Sequence, residues 1–173
     1  MNDPLNQPQY QVRFGFGRQR ALELSRGADV VVWADALDDG STTVPELPGN
    51  FSILVAATGA ATAVADWVIA QQELKGERLT VAVIAAGDPQ GGFTVDDLLS
   101  AGAIIDALAD AGADYISPEA ASAVAAFTGL KSAHNHLLSA CEAGQQYAHV
   151  AGRASLEAAI VSNAAANFEI VRE

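Results

Sequence analysis

The chain has 173 residues, of which 50% are hydrophobic and only 6% aromatic, and its 21 acidic and 9 basic residues give a formal net charge of −12. This length suits one domain with a sizeable core, so we predict a single α/β domain over residues 10–173 after a disordered tail, 1–9, rich in Pro, Asn and Gln. A surface with this much negative charge repels nucleic acid and anionic membranes, so neither is expected as a partner. The single cysteine, Cys141, and the lack of a signal peptide or a long apolar span favour a cytoplasmic location.

Strand and helix patterns alternate along most of the chain. Period-two alternation predicts a strand over residues 11–16, followed by a short helix over 18–25. Apolar runs predict strands at 30–33, 51–57 and 79–86. A helix is predicted after Thr58 and Gly59 to about Leu74, and another over 94–111. Helices follow at 118–127, 132–143 (ended by Gly144) and 155–162, and a short strand at 167–171. Nearly all-apolar strands between helices predict a three-layer α/β/α fold, whose mostly parallel sheet is covered by helices on both faces.

Polar residues follow three of the predicted strands. Because ligands bind at the carboxyl edge of an open α/β sheet, we expect these residues to meet there. Carboxylates beside hydroxyls and backbone N–H groups suit Mg²⁺ together with a phosphate. We predict catalytic roles for Asp35 and Asp97, and Mg²⁺ ligation by Asp35 and Asp96. The residues predicted to bind the substrate are Ser41, Thr42, Thr58 and Gly59.

Each of these features also has an ordinary structural interpretation. Asp38, Asp39 and Gly40 are typical of a turn, and Thr58 and Thr94 of helix N-caps. Acidic residues in a first helical turn commonly interact with the helix dipole. Other signals are weaker: His134 and His136 favour a capping or surface role over metal binding, and Cys141 favours a buried core thiol over a nucleophile.

Four stretches resemble the 2-phosphosulfolactate phosphatase (ComB-like) family. They are Asp35-Ala36-Leu37 with Ser41-Thr42-Thr43, then Thr58-Gly59, then Ala86-Gly87 with residues 93–102, and a Ser-x₅-Leu segment followed by Gly144. The resemblance implies the ComB-like α/β fold and a Mg²⁺-dependent acid phosphatase linked to coenzyme M biosynthesis. It also implies a small anionic phosphate ester as the substrate.

We therefore expect a phosphatase that uses Mg²⁺ to hydrolyse a small phosphate monoester. The family's pattern has an arginine directly after Asp-x-Leu, where this chain has Asp38, Asp39 and Gly40. That replacement keeps an alternative open, in which a catalytically degenerate relative binds a small metabolite or acts as an oligomeric scaffold. The Ala-rich helices are compatible with a homodimer, whereas a nucleotide-binding module would need a phosphate loop that the sequence lacks.

Overall fold

The computed structural model describes residues 3–37 and 43–173. In this part of the chain, five strands form one sheet in the order β1-β4-β2-β3-β5. The first four strands are mutually parallel, and β5 runs antiparallel to β3 at the edge. The strands are β1 (Val12–Phe16), β2 (Val30–Ala34), β3 (Ser52–Ala56), β4 (Val81–Ala85) and β5 (Glu169–Arg172).

Helices cover both faces of this sheet, which confirms the predicted three-layer α/β/α fold. They are α1 (Gly17–Leu24), α2 (Ala61–Lys75), α3 (Val95–Asp110), α4 (Pro118–Leu130), α5 (His134–Ala140), α6 (Glu142–Ala151) and α7 (Arg153–Asn163). Helices α2, α3 and α4 pack on one face, and α1 packs on the other. Helices α5 to α7 form a separate cap around Leu138 and Leu156, in contact with Leu37 after β2.

Strand β2 shows why the apolar runs become buried strands. Its five residues are all buried, and successive side chains point to opposite faces of the sheet. Val30, Val32 and Ala34 pack toward α2, α3 and α4, whereas Val31 and Trp33 pack toward α1. A strand that is buried on both faces has no polar alternation, as expected for the interior of a parallel sheet.

The N-terminal segment differs from the predicted disordered tail. Pro4–Asn6 forms a 3₁₀ turn, and Gln7 is 5% exposed. The Gln7 side chain donates to the Phe14 carbonyl (2.9 Å) and accepts from the Phe14 N–H (3.0 Å). Because β1 lies at the edge of the sheet, its outer backbone groups need partners, and the Gln7 amide supplies both a donor and an acceptor.

The predicted helix over 132–143 is divided at Cys141, whose backbone is extended between α5 and α6. Gly144 lies inside α6, so the prediction that it ends a helix is wrong. A Cβ atom at Gly144 would collide with the Leu138 carbonyl oxygen. Gly144 therefore permits two short helices to pack closely, which chain order alone does not reveal.

Small residues also bring α3 and α4 together. A Cβ atom at Gly102 would collide with the Ala123 carbonyl oxygen and lie 2.8 Å from the Phe127 Cβ. Ala120 and Ala123 on the facing helix are fully buried. Within the described residues, no helix is both long and apolar enough to cross a membrane.

This packing predicts opposite effects for two helical glycines. Gly102→Ala should lower the free energy of unfolding by about 1–3 kcal/mol, because the added methyl group has no space. Gly129→Ala, where nothing lies within 4 Å of the new Cβ, should raise it by up to about 1 kcal/mol through helix propensity. Urea denaturation followed by circular dichroism measures both. Equal stabilities of the two variants would contradict the close α3–α4 contact.

Candidate active site

The carboxyl ends of β2 and β4, which are neighbours in the sheet, open into a cleft of about 880 Å³. Asp35 directly follows β2, and its N–H donates to the Ala56 carbonyl (3.2 Å), so it stays in line with the β2–β3 pair. The loop after β4 and the start of α3 form a second side, and α6 forms a third. The described lining residues are Asp35, Leu37, Gly87, Asp88, Pro89, Gln90, Phe93, Thr94, Val95, Asp96, Asp97, Cys141, Glu142, Ala143, Gln145, Gln146 and Val150.

Asp97 joins the chain after β2, the loop after β4 and the start of α3. Its Oδ1 accepts from the Ala36 N–H (2.8 Å), and its Oδ2 accepts from the Gly87 N–H (2.8 Å) and the Thr94 hydroxyl (3.0 Å). The side chain therefore links the chain after β2 to the chain after β4 from the first turn of α3. Asp97 is 4% exposed, so these bonds are shielded from water.

The surroundings of Asp97 disfavour the ionised form of its carboxyl group. Burial raises the pKa of the Asp97 carboxyl well above its usual value, and the nearby carboxylates of Asp96 and Asp35 raise it further. The backbone hydrogen bonds from Ala36 and Gly87 act in the opposite direction. Asp96 and Asp35 thus lie close enough to Asp97 to disfavour a negative charge on it.

A second buried side chain fixes the peptide that follows Asp35. Asn163, at the end of α7 and 4% exposed, donates its Nδ2 to the Ala36 carbonyl (2.8 Å). The Ala36 N–H already donates to Asp97, so both polar groups of this residue are bound by side chains that are distant in sequence. This arrangement fixes the backbone beside Asp35 and ties the C-terminal helical cap to the sheet.

The cleft is acidic wherever the structure describes it. Its described lining contains five carboxylates and no Lys, Arg or His side chain. The five are Asp35, Asp88, Asp96, Asp97 and Glu142. Such a surface attracts cations and would repel a phosphate unless a cation lay between them.

The sequence of the cleft matches a known family. The model of the 2-phosphosulpholactate phosphatase family matches residues 26–171. The chain belongs to the 2-phosphosulpholactate phosphatase family. The matched range contains every described residue of the cleft, and the resemblance inferred from the sequence is confirmed. Membership supports a phosphatase-like function. A search of curated proteins found no match.

In this family member, Asp35, Asp96 and Asp97 meet in the cleft, as the sequence predicts. Thr58 and Gly59 do not line it. Thr58 lines a different cavity, of about 500 Å³, between α2 and α3, and its hydroxyl lies 2.8 Å from the Ser100 Oγ and 3.0 Å from the His134 Nε2. It therefore makes no N-cap bond, and it anchors the start of α5 instead.

Gly59 has a packing role. A Cβ atom there would collide with the backbone of Ala164 and lie 2.7 Å from the Ala165 carbonyl oxygen. The absence of a side chain therefore lets the chain after α7 approach the turn after β3, close to where Asn163 reaches Ala36. Ser41 and Thr42, predicted to bind the substrate, lie outside the described residues, as do Asp38, Asp39 and Gly40.

The donor set fits a magnesium ion held by two carboxylates. Mg²⁺ is usually held by one or two carboxylates together with waters and substrate phosphate oxygens, rather than by a full protein cage. Asp35 and Asp96 line the cleft from two sides. Over residues 3–37 and 43–173, no group of three or more His, Cys, Asp or Glu side chains forms a metal site.

Sequence reasoning missed Asn163 and the contribution of α6. Asn163 lies 127 residues from its partner Ala36, and no local pattern marks a hydrogen bond of that span. Cys141 is half-buried and lines the cleft rather than the core. Burial raises the pKa of the Cys141 thiol, and Asp96 and Asp97 raise it further, so the thiol form is favoured and nucleophilic attack is not.

The bond from Asn163 to Ala36 gives a direct prediction. Asn163→Ala should lower the free energy of unfolding by about 1–3 kcal/mol, because it leaves the buried Ala36 carbonyl without this donor. Asn163→Asp, which keeps the shape and replaces the donor by an acceptor, should be at least as destabilising. Chemical denaturation measures both, with the exposed Asn167→Ala as the control. A change equal to that of the control would show that the α7 contact is dispensable.

Proposed function

We propose that this chain is a Mg²⁺-dependent phosphatase that hydrolyses a small phosphate monoester in the cleft at the carboxyl ends of β2 and β4. The observation that carries the proposal is that Asp35, directly after β2, and Asp96, in the first turn of α3, line one cleft. Family membership supports the reaction class. The acidity of the cleft supports a cation as the partner of the phosphate.

In this proposal, Asp35 and Asp96 hold the metal ion. When bound, Mg²⁺ would neutralise charge on the phosphoryl oxygens as the ester bond breaks. Asp97 holds the loop that carries Gly87 and the peptide after Asp35 in fixed positions through its three hydrogen bonds. This pre-organisation keeps the Asp35 carboxylate where the ion is needed without reorganisation during the reaction.

The first turn of α3 contributes a second feature. Val95 and Asp96 lie in that turn and line the cleft. The N-terminus of a helix of this length carries a partial positive charge, which favours a phosphate next to the metal ion. The proposed phosphate position therefore lies between the metal carboxylates and the start of α3.

Substituting Asp35 tests the proposal. Asp35→Asn should reduce Mg²⁺-dependent hydrolysis of a generic phosphate ester, such as p-nitrophenyl phosphate, by about 100-fold or more, because a metal ion supplies several kcal/mol of transition-state stabilisation. Chelation with EDTA should abolish turnover by the wild type, and added Mg²⁺ should restore it. Released phosphate is measured, and circular dichroism checks that the variant is folded.

Asp114→Asn is the matched control. Asp114 is an exposed carboxylate after α3 and lies outside the cleft, so this variant should keep wild-type turnover. Equal activity of Asp35→Asn and the control would remove Asp35 from the mechanism. Absence of turnover by the wild type across a panel of esters with and without Mg²⁺ would instead support the scaffold or metabolite-binding alternative.

A further inference from the structure

The charges of the cleft limit which chemical groups the phosphate ester can contain besides its phosphate. Asp35 and Asp96 are assigned to the metal ion in the proposed function. Asp88 and Glu142 add negative charge elsewhere in the same cleft. A substrate bound at the metal must therefore place its organic part in the field of carboxylates that the metal does not neutralise.

The loop after β4 holds the Asp88 carboxylate in place. Its Oδ1 accepts from the Gln90 N–H and from the Gly92 N–H, each at 2.8 Å. Both donors are neutral backbone groups, so the negative charge stays on this side of the cleft. Glu142 is exposed in the first turn of α6 on the other side, where its carboxylate interacts favourably with the start of the helix.

The part of the cleft that the structure describes lacks cationic side chains that could bind a second acidic group. The described lining has no Lys, Arg or His side chain. Residues 38–42 lie outside the described residues, and in the sequence they are Asp, Asp, Gly, Ser and Thr, with no basic residue among them. Among the described residues, the starts of α3 and α6 are positive features of the cleft, and the first turn of each helix contains acidic side chains: Asp96 and Asp97 in α3, and Glu142 in α6.

We propose that the substrate is a phosphate monoester whose organic part is cationic or neutral, with an amine preferred, rather than one that bears a second acidic group. This inference rests on the proposed function, since it assumes that the phosphate is bound in this cleft. It disfavours 2-phosphosulfolactate, the compound in the family's name, as the substrate of this chain, because that compound carries a sulfonate and a carboxylate beside the phosphate. An ammonium group near Asp88 or Glu142 would be attracted, whereas a second acidic group there would be repelled.

Three two-carbon phosphate esters test the proposal: 2-aminoethyl phosphate, 2-hydroxyethyl phosphate and phosphoglycolate, with 2-phosphosulfolactate as a fourth substrate. The value of kcat/KM, measured by phosphate release with saturating Mg²⁺ at low ionic strength, should fall in the order amine, hydroxyl, carboxylate. We expect about a 10-fold or larger difference between the first and the third, which shrinks as salt is added. The value of kcat/KM for 2-phosphosulfolactate should be equal to or lower than the value for phosphoglycolate.

Glu142→Lys should lower the ratio of kcat/KM for 2-aminoethyl phosphate to kcat/KM for phosphoglycolate by about 10-fold. Glu142→Gln should lower this ratio by a smaller factor. Glu119→Lys is the matched control, because Glu119 is an exposed acidic residue in the first turn of α4 and outside the cleft. Its ratio should equal that of the wild type. Because Glu142→Gln adds no cation to a helix start, it keeps the test valid if the lysine variant fails to fold.

The two proposals fail in different ways. Turnover that favours phosphoglycolate or 2-phosphosulfolactate over 2-aminoethyl phosphate would overturn the substrate class and leave the phosphatase assignment intact. If Glu142→Lys and Glu119→Lys had the same ratio of kcat/KM values for 2-aminoethyl phosphate and phosphoglycolate, the proposed substrate class would also be overturned. Absence of Mg²⁺-dependent turnover of all four esters would overturn both proposals together.

Discussion

The bridge that Asp97 makes between the ends of two neighbouring strands is the constraint on which the rest of the site depends. Its two carboxylate oxygens bind the backbone after β2 and the backbone after β4 at the same time. A carboxylate buried in this way is unfavourable by itself, because burial and the charges of Asp96 and Asp35 both oppose ionisation. The hydrogen bonds from the Ala36 and Gly87 backbone act against that effect, and with the Thr94 hydroxyl they hold together the segments that form the floor of the cleft.

The second constraint comes from the C-terminal cap. Asn163 binds the Ala36 carbonyl, and the bare backbone of Gly59 lets the chain after α7 approach the sheet. The cap also supplies Cys141 and Glu142 to the wall of the cleft. A single residue, Ala36, therefore connects the sheet, the first turn of α3 and the last turn of α7 beside Asp35. The cap thus helps to form the site as well as to cover the sheet.

The sequence predicts most of the fold because the signals that decide it are local. The apolar run of β2 and the alternation of β1 specify strands, and Asp96 and Asp97 after Thr94 mark the start of α3. Long-range contacts were not predictable in the same way. Thr58 has a residue type that is typical of an N-cap, but its hydroxyl interacts with Ser100 and His134, which lie 42 and 76 residues away in the sequence. Gln7 lies in a polar segment whose composition predicts disorder. Its partner on the edge strand, Phe14, cannot be identified from the local sequence.

The candidate site, like the fold, could be predicted only in part from the sequence. The carboxyl edge of a parallel sheet brings Asp35, Asp96 and Asp97 together by topology alone, and these three were found. The hydrogen bonds by which Asp97 positions the Ala36 and Gly87 backbone are not encoded by any local sequence pattern. The missing arginine after Leu37 was visible in the sequence. Its significance becomes clear only when the described cleft is seen to contain no other base.

The central claim is that the carboxylates of Asp35 and Asp96 together hold a divalent cation. Titration of the full chain with Mn²⁺, followed by electron paramagnetic resonance of the free ion, tests it without a substrate. The account predicts one bound ion per chain, displaced by Mg²⁺, with an affinity that falls at least about 10-fold in Asp96→Asn and stays unchanged in Asp114→Asn. Absence of a bound ion in the wild type, or equal affinity in the wild type and Asp96→Asn, would contradict the account.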